Sequence, residues 1–448
     1  MPPANPNSQR FLALLSQRVS AIHHARNASL TRSQSRYISS APKTPETLPP
    51  HSKLPLKILL RSLLVATISS HQILLGPSLA ILKFLNGSHR SRIFDVQRNP
   101  LLHTILKKTM YNHFCAGENR QEVTSTIAEI KRMGFRGAIL TYAREIVVDN
   151  TTEEESGRGL REKYSVSEIG FDAGIDAWRE GVLETADMLS GGDILALKLA
   201  SPIHHRRISL FANLFLRLTG AGAAVSEALA SRKPLPAQME SALSEVCSRA
   251  VERGARIFMD AEQISVQPGI DTVAMELMRR FNTKRRGAVV FNTYQAYLKS
   301  TPDTLAQHMA LAQKDDFVLG IKLVRGAYIS SEPRHLINDT KEATDDSYDS
   351  IARGLLSQAY KDFGMPDGKS FPSVELFLAT HNKNSVLKAN ELQQTRAKKG
   401  RPLIKIQYGQ LLGMADEVSF SLLQLADQGT KAKGSGGDAP IEVYKCLS

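Results

Sequence analysis

The side chains best suited to chemistry in this 448-residue sequence stand at the ends of short apolar runs. The run Leu319–Val324 carries Lys322 in its interior and passes straight into Arg325, Gly326, Ala327 and Tyr328. Positive charge inside or beside a buried strand needs an anionic partner, because burying it alone is costly. Two kinds of partner meet that need: carboxylates on neighbouring strands, or a phosphate-bearing or electron-accepting group whose close approach Gly326 would permit. The run Val374–Ala379 ends in Thr380, His381 and Asn382, three hydrogen-bonding side chains in a row. Ile194–Lys198 ends on a lysine, and Arg256–Asp260 ends on an acid followed by Ala261 and Glu262. Two ionised acids on one strand face would repel, so a turn at Ala261 is expected. That turn leaves Asp260 pointing inward, able to hold a cation such as Lys198, and makes Glu262 a solvated loop charge.

Other motifs carry less. Gly220-Ala221-Gly222 matches part of a dinucleotide fingerprint but has no third glycine in register. Tyr294 and Tyr297 read as packing residues, and Glu332, Asp339, Glu342, Asp345, Asp346 and Asp349 as a solvated loop and helix face. Cys115, Cys247 and Cys446 are odd in number and far apart, and no metal-ligand spacing occurs. Neither a disulfide framework nor a zinc site is expected, and a reducing compartment follows.

The runs that carry these residues are eight in number: Gly137–Tyr142, Ile194–Lys198, Arg256–Asp260, Ala288–Asn292, Leu319–Val324, Val374–Ala379, Leu403–Gln407 and Ile441–Tyr444. Between them lie stretches with helical periodicity, among them Asp176–Leu189, Ala237–Arg253, Asp271–Phe281, Asp303–Lys314, Tyr348–Phe363 and Gln410–Ala426; Gln121–Arg132 precedes the first run. Strands alternating with helices predict parallel βαβ units, and eight repeats predict a closed (β/α)8 barrel of the TIM type. Only Lys445–Ser448 follows the last run, so the expected barrel lacks its final helix. Catalytic groups in such barrels lie at the C-terminal strand ends, which is where Lys198, Asp260, Gln295, Arg325, Thr380, Gln410 and Tyr444 fall.

The net charge of +13 suggests nucleic acid until it is located. Residues 1–94 hold twelve Lys/Arg against the single acid Glu46, a net +11, and the remaining 354 residues carry only +2. A phosphate-tracking groove should be basic where it is folded, so nucleic-acid binding is excluded. Residues 1–45, rich in Arg and Ser and free of acids, read as an organelle transit peptide. Ser62–Leu82 has no charged residue, but Ser69–Gln72 and Gly76-Pro77 interrupt it. A pair of short apolar helices is expected over residues 46–104, lying on a membrane or packing on the body. It forms an N-terminal helical arm to the barrel of residues 105–448.

Taken together, Asp260-Ala261-Glu262, Asn292–Tyr297, Lys322–Tyr328, Ala379–Asn382 and Tyr408–Met414 resemble proline dehydrogenase of the eukaryotic mitochondrial type. The resemblance runs in order from about residue 105 to 445, and Lys-Leu-Val-Arg-Gly-Ala-Tyr is its most specific element. It implies a distorted (β/α)8 barrel with FAD, oxidation of L-proline to Δ1-pyrroline-5-carboxylate by hydride transfer to flavin N5, and ubiquinone as electron acceptor at the matrix side of the mitochondrial inner membrane. It implies that Gln295, Lys322, Arg325, Gly326, Ala327, Thr380, His381 and Asn382 contact FAD. Lys198 would pair with the proline carboxylate, Asp260 and Tyr444 would shape the pocket, and Leu411 and Tyr328 would pack on the ring.

Two departures qualify the resemblance. The family carries a final helix whose Arg-Arg pair grips the substrate carboxylate, and this chain stops at Ser448 before it. The family also runs its lysine strand directly into Thr-Gly-x-Gly, whereas here Leu199–Arg217 intervenes, so Arg217 competes with Lys198 for the lysine's place. An imperfect gene model would produce both. The alternatives are a truncated isoform that binds FAD or a membrane without turnover, a 4-hydroxyproline dehydrogenase, and a Schiff-base aldolase using Lys322 or Lys198.

Overall fold

The computed structural model describes residues 54–85, 96, 99–142, 171–199, 221–431 and 438–447. The expected transit peptide and all of the expected insertion except Leu199, Arg217 included, lie outside them. The described residues fall into two compact units. One takes those up to Gly134 with Gln410–Leu425 and Leu447; the other takes Phe135–Gly409 and Ala426–Cys446.

The first unit is helical. It contains α1 (Leu56–Ser70), α2 (Gln72–Leu85), α3 (Pro100–Leu106), a π-helical stretch Lys107–Tyr111, α4 (Asn112–Phe114) and α5 (Arg120–Arg132). Asn99 caps α3 and Asn119 caps α5, each accepting backbone N–H bonds of the first turn. The expected helix pair is present; its break falls at His71, inside the expected interruption Ser69–Gln72, while Gly76-Pro77, the other expected interruption, stays helical. Thr67, Ser69 and Ser70 turn their hydroxyls back onto carbonyls four residues earlier, which weakens the end of α1. The axis then bends by 102°. Pro77 stays inside α2, at a cost the surrounding packing of Leu75, Leu82 and Leu85 offsets. No single helix among the described residues is long and apolar enough to cross a membrane, although α1 and α2 together have the length and composition of one broken span.

The second unit is the expected barrel. Its strands are β1 (Gly137–Thr141), β2 (Ile194–Leu197), β3 (Arg256–Met259), β4 (Val290–Gln295), β5 (Leu319–Val324), β6 (Val374–Ala379), β7 (Lys405–Leu411) and β8 (Glu442–Leu447), closed in chain order. Pairing is parallel from β1 through β7. The helices are α6 (Ala173–Ala186), α7 (Ala223–Ala230), α8 (Ala237–Glu252), α9 (Gln267–Phe281), α10 (Thr301–Lys314), α11 (Lys341–Ser357), α12 (Lys383–Lys398) and α13 (Asp416–Lys431), the last shared between the two units. Side chains fill the interior: Ile194, Ala196, Phe258, Phe291, Phe377 and Tyr444 form one buried cluster. Phe258 meets Phe291 and Phe377 edge-on with centroids 5.4 and 4.8 Å apart, each such contact adding about 1 kcal/mol beyond area burial.

Three strands run further toward their C-terminal ends than the apolar pattern predicts. β4 continues through Asn292, Thr293, Tyr294 and Gln295, all buried. Polarity ended the apolar run there, yet the polar groups find partners: Thr293 Oγ1 donates to the Met259 carbonyl at 2.7 Å. β7 runs on through Gly409, where the Phe377 ring occupies the place a Cβ would take, so glycine is the residue that fits. Gln410 therefore belongs to a strand, and the helix expected at Gln410–Ala426 is α13, starting at Asp416. β8 reaches Leu447. Helix α11 starts at Lys341, seven residues before the expected start, with Thr340 as its cap. The polar helix α12 was not legible from apolar periodicity.

Candidate active site

The N-terminal ends of the strands carry a closed polar cluster. Arg256 donates to Gln407 at 2.6 Å and pairs with Glu375 at 3.3 Å. Glu375 also accepts the Ala288 N–H, and Gln407 Nε2 donates to Glu442 at 2.5 Å and to the Tyr444 hydroxyl at 2.8 Å. Tyr444, expected to shape a substrate pocket at the other end, thus directs its hydroxyl into this cluster. Its ring packs on Phe377 in the barrel centre.

At the C-terminal ends of the strands in the barrel unit stand Lys198, Asp260, Gln295, Lys322, Arg325, Thr380, His381 and Asn382. Lys322 projects from β5 and binds Asp260, just past β3, at 2.5 Å, with its ammonium 5.0 Å from the Phe258 ring centroid. Asp260 does point inward as expected, but its partner is Lys322, not Lys198. Arg325 follows β5 and is held on three sides. Nε donates to Asp345 at 2.6 Å, Nη1 to Thr380 Oγ1 at 2.6 Å, and Nη2 to Ser385 Oγ at 3.0 Å. Its guanidinium carbon lies 4.4 Å from the Tyr348 ring centroid, a cation–π contact. Burial would raise the Asp345 carboxyl, but hydrogen bonds from Lys341 and Arg325 outweigh it and hold the group below the usual range. Asp345 was read as part of a solvated acidic face; it is the carboxylate that a half-buried arginine requires.

Thr380, His381 and Asn382 follow β6 in the order expected. Thr380 Oγ1 also accepts the Asn382 N–H, and Asn382 caps α12 by accepting from Ser385 N. His381 is partly buried beside them. Gln295 ends β4, and its amide donates to the Glu262 carbonyl at 3.1 Å. Leu411 closes β7. Gly326 has φ +140, and a Cβ there would strike the Tyr297 ring. The Tyr297 ring therefore requires glycine at this position, while the Gly326 backbone itself stays exposed. Ala327 is exposed next to it.

Glu262 departs most from expectation. It is 6% exposed, not solvated. Its N–H donates to Gln267 at 2.8 Å, and its carboxylate accepts the Tyr328 hydroxyl at 2.5 Å. Burial pushes its carboxyl above the usual range, more than the Tyr328 bond and the charge of Lys198 pull it down, and Asp260 adds to the rise. Burial, with Glu262 beside it, pushes the Tyr328 phenol up as well. Lys198 is partly buried just past β2 and makes no ion pair with the described residues. A carboxyl close to a run of apolar strand could have been flagged by asking what Tyr328 donates to; nothing in the spacing showed it.

The donor set fits a dinucleotide. An anionic pyrophosphate needs fixed cations and backbone N–H groups, which Lys322, Arg325 and the Asn382-capped start of α12 provide. Gln295 and Thr380, at the ends of β4 and β6, are hydrogen-bonding groups of the kind the edge of a redox ring would need. Lys198 remains available for a separate, smaller anion. Among the described residues no group of His, Cys, Asp and Glu is arranged to hold a metal.

The sequence profile of the family described as proline dehydrogenase matches residues 123–436. Over 396 residues the chain is 28% identical to a Schizosaccharomyces pombe protein named "Probable proline dehydrogenase, mitochondrial", covering 81% of this chain and 76% of that one. It is 27% identical to the hydroxyproline dehydrogenase of Bos taurus, covering 77% of this chain and 73% of that one. The crystal structure of proline utilization A from Bdellovibrio bacteriovorus, inactivated by N-propargylglycine, superposes with a TM-score of 0.53 at 15% identity over 98% of this chain. This chain spans 40% of that longer one, and the likeness concerns the fold.

Proposed function

The chain belongs to the proline dehydrogenase family, and from that premise we propose that it oxidises L-proline to Δ1-pyrroline-5-carboxylate at the C-terminal end of the barrel, with FAD as its resident cofactor. The observation that carries this reading is the charge balance of that end. Lys322 and Arg325 each hold a carboxylate, whereas Lys198 makes no ion pair with the described residues. When bound, the flavin supplies a two-electron acceptor whose N5 takes the hydride from the ring carbon next to the proline nitrogen.

The remaining work falls to this chain's side chains. Arg325, Lys322, Gln295, Thr380, His381 and Asn382 hold the cofactor. Lys198 binds the proline carboxylate by a charge-assisted hydrogen bond, which fixes the ring's orientation. Asp260 keeps the Lys322 ammonium in place, and Tyr328 bounds the ring. No side chain acts as nucleophile; the task is to hold an unprotonated amine in reacting orientation, where positioning alone lowers the barrier by several kcal/mol, on the order of 7–11 at best. Tyr444 is left out of the substrate set, since its hydroxyl serves the opposite end of the barrel.

Electrons leave to ubiquinone, and the protein works at the inner mitochondrial membrane. The names of the mitochondrial relatives, the acid-free stretch 1–45 and the exposed Leu56, Leu60, Leu63 and Ile73 of α1 and α2 support this placement. The test is to purify the full chain, record its absorbance, and add L-proline or trans-4-hydroxy-L-proline anaerobically. A flavin spectrum bleached by proline at lower concentration than by hydroxyproline is expected. Colour restored by a soluble ubiquinone supports the acceptor, and a colourless protein would end the reading.

A further inference from the structure

We infer that Glu262 couples proton uptake to substrate binding: an anion bound at Lys198 draws one proton from solvent onto the Glu262 carboxyl. The inference deepens the proposed function and rests on its assignment of Lys198 to the substrate carboxylate.

The geometry comes first. Past β3 the chain turns so that Asp260 meets Lys322, and Glu262 folds inward among fixed partners. Gln267 holds its N–H and Gln295 its carbonyl. Three bonds stitch the segment 328–332 to the segment 261–264: Tyr328 to Glu262, Gln263 to Ser331 at 3.0 Å, and Ile264 N–H to Glu332 at 2.7 Å. These bonds fix the backbone around Glu262, and burial with the Tyr328 bond holds its carboxyl in place, so a changed field acts on its proton.

Among the described residues, three groups act on it directly. Lys198 from the end of β2 favours its ionised form, Asp260 from the end of β3 disfavours it, and Tyr328 donates to Oε2. Burial already disfavours the ion. A carboxylate arriving at Lys198 cancels the opposing charge found among the described residues and adds a negative charge nearby. Both effects favour the protonated acid, with the new proton on Oε1, since Oε2 accepts from Tyr328. The Tyr328 proton stays on its hydroxyl, which burial and Glu262 both protect. Linkage then works in reverse: raising the pH ionises Glu262, which competes for Lys198 and weakens anion binding by the same factor. The proline amine titrates too, so the probe must carry no amine.

Cyclopentanecarboxylate has the ring and the carboxylate and no amine. Its binding to the flavin-loaded full chain would be measured by calorimetry in buffers of different ionisation enthalpy, across pH 5–8. The expected result is uptake of up to one proton and an affinity that falls about tenfold with rising pH. Glu262→Gln should bind with no uptake at this site and a flat profile. Glu332→Gln removes the neighbouring stitch carboxylate and should keep the wild-type linkage, as a merely structural role for Glu262 would not predict. Wild-type protein that binds without proton uptake overturns the inference whether or not the variants fold, as does equal uptake in Glu262→Gln. Absence of bleaching by L-proline removes the underlying reading instead, and the inference with it.

Discussion

At the N-terminal end of the barrel Arg256 faces Glu375 and Gln407, Gln407 faces Glu442 and Tyr444, and each of these charges has a partner among the described residues. At the C-terminal end Lys322 and Arg325 are answered by Asp260 and Asp345, while Lys198 has no ion pair among the described residues and Glu262 is buried against a tyrosine. Both ends bury polar groups in one closed sheet, so burial alone does not distinguish a site. The difference lies in the unanswered charge. A closed network fixes the structure, whereas an open one leaves electrostatic energy that only a ligand can satisfy.

The largest expected effect separates the two ends. Arg325→Ala removes the guanidinium that joins Asp345, Thr380 and Ser385, and the purified protein should lose its bound flavin by absorbance. Arg256→Met at the other end should keep the flavin and its proline KM, yet cost about 2–4 kcal/mol of stability, since Glu375 keeps only the Ala288 N–H and the more distant Lys405. A thermal melt drop of roughly 5–10 °C would show it. Equal flavin loss in both variants would erase the contrast.

A smaller effect is expected at Gly326. Gly326→Ala drives a Cβ into the Tyr297 ring at a positive φ, and overpacking of this kind costs about 1–3 kcal/mol. If the glycine instead existed for the cofactor, flavin affinity would fall with the melting temperature unchanged.

The smallest effect is in pH dependence. The Glu262 carboxyl is raised by burial, so the folded state holds its proton more tightly than the unfolded chain does. Between the ordinary glutamate value and the raised one the native protein carries more protons, and stability falls as pH rises. Glu262→Gln should remove that slope. Asp345 is lowered, so its contribution has the opposite sign and is lost as pH falls through its folded value. Urea midpoints of wild type and Glu262→Gln from pH 4 to 8 would read the difference.

The sequence showed the barrel because β-branched and apolar runs alternate with helical periods, and those periods survive in the structure. It misplaced strand ends wherever polar residues stay buried in a strand, as at Asn292–Gln295, since alternation records hydrophobicity and not hydrogen-bond satisfaction. It placed Asp260 at the end of β3 and Lys322 and Arg325 in and after β5, and offered carboxylates as their partners without naming which. Asp345 is twenty residues from Arg325 along the chain, and only closure of β5 onto α11 brings them together. Glu262 looked solvated because a charge in a turn usually is; the three bonds that bury it come from a segment some seventy residues later. Of the two interruptions read between Ser62 and Leu82, Ser69–Gln72 breaks the helix at His71, where the serine and threonine hydroxyls act on the backbone, whereas Gly76-Pro77 stays helical.

The central claim is that Lys198, which makes no ion pair with the described residues, binds the substrate carboxylate. The direct measurement is an anaerobic titration of flavin absorbance with L-proline in wild-type and Lys198→Met protein. Half-bleaching in the variant should need about 10–100 times more proline, the loss expected for one charge-assisted hydrogen bond, with flavin content and melting temperature unchanged. Half-bleaching at the same proline concentration in both proteins would contradict the account.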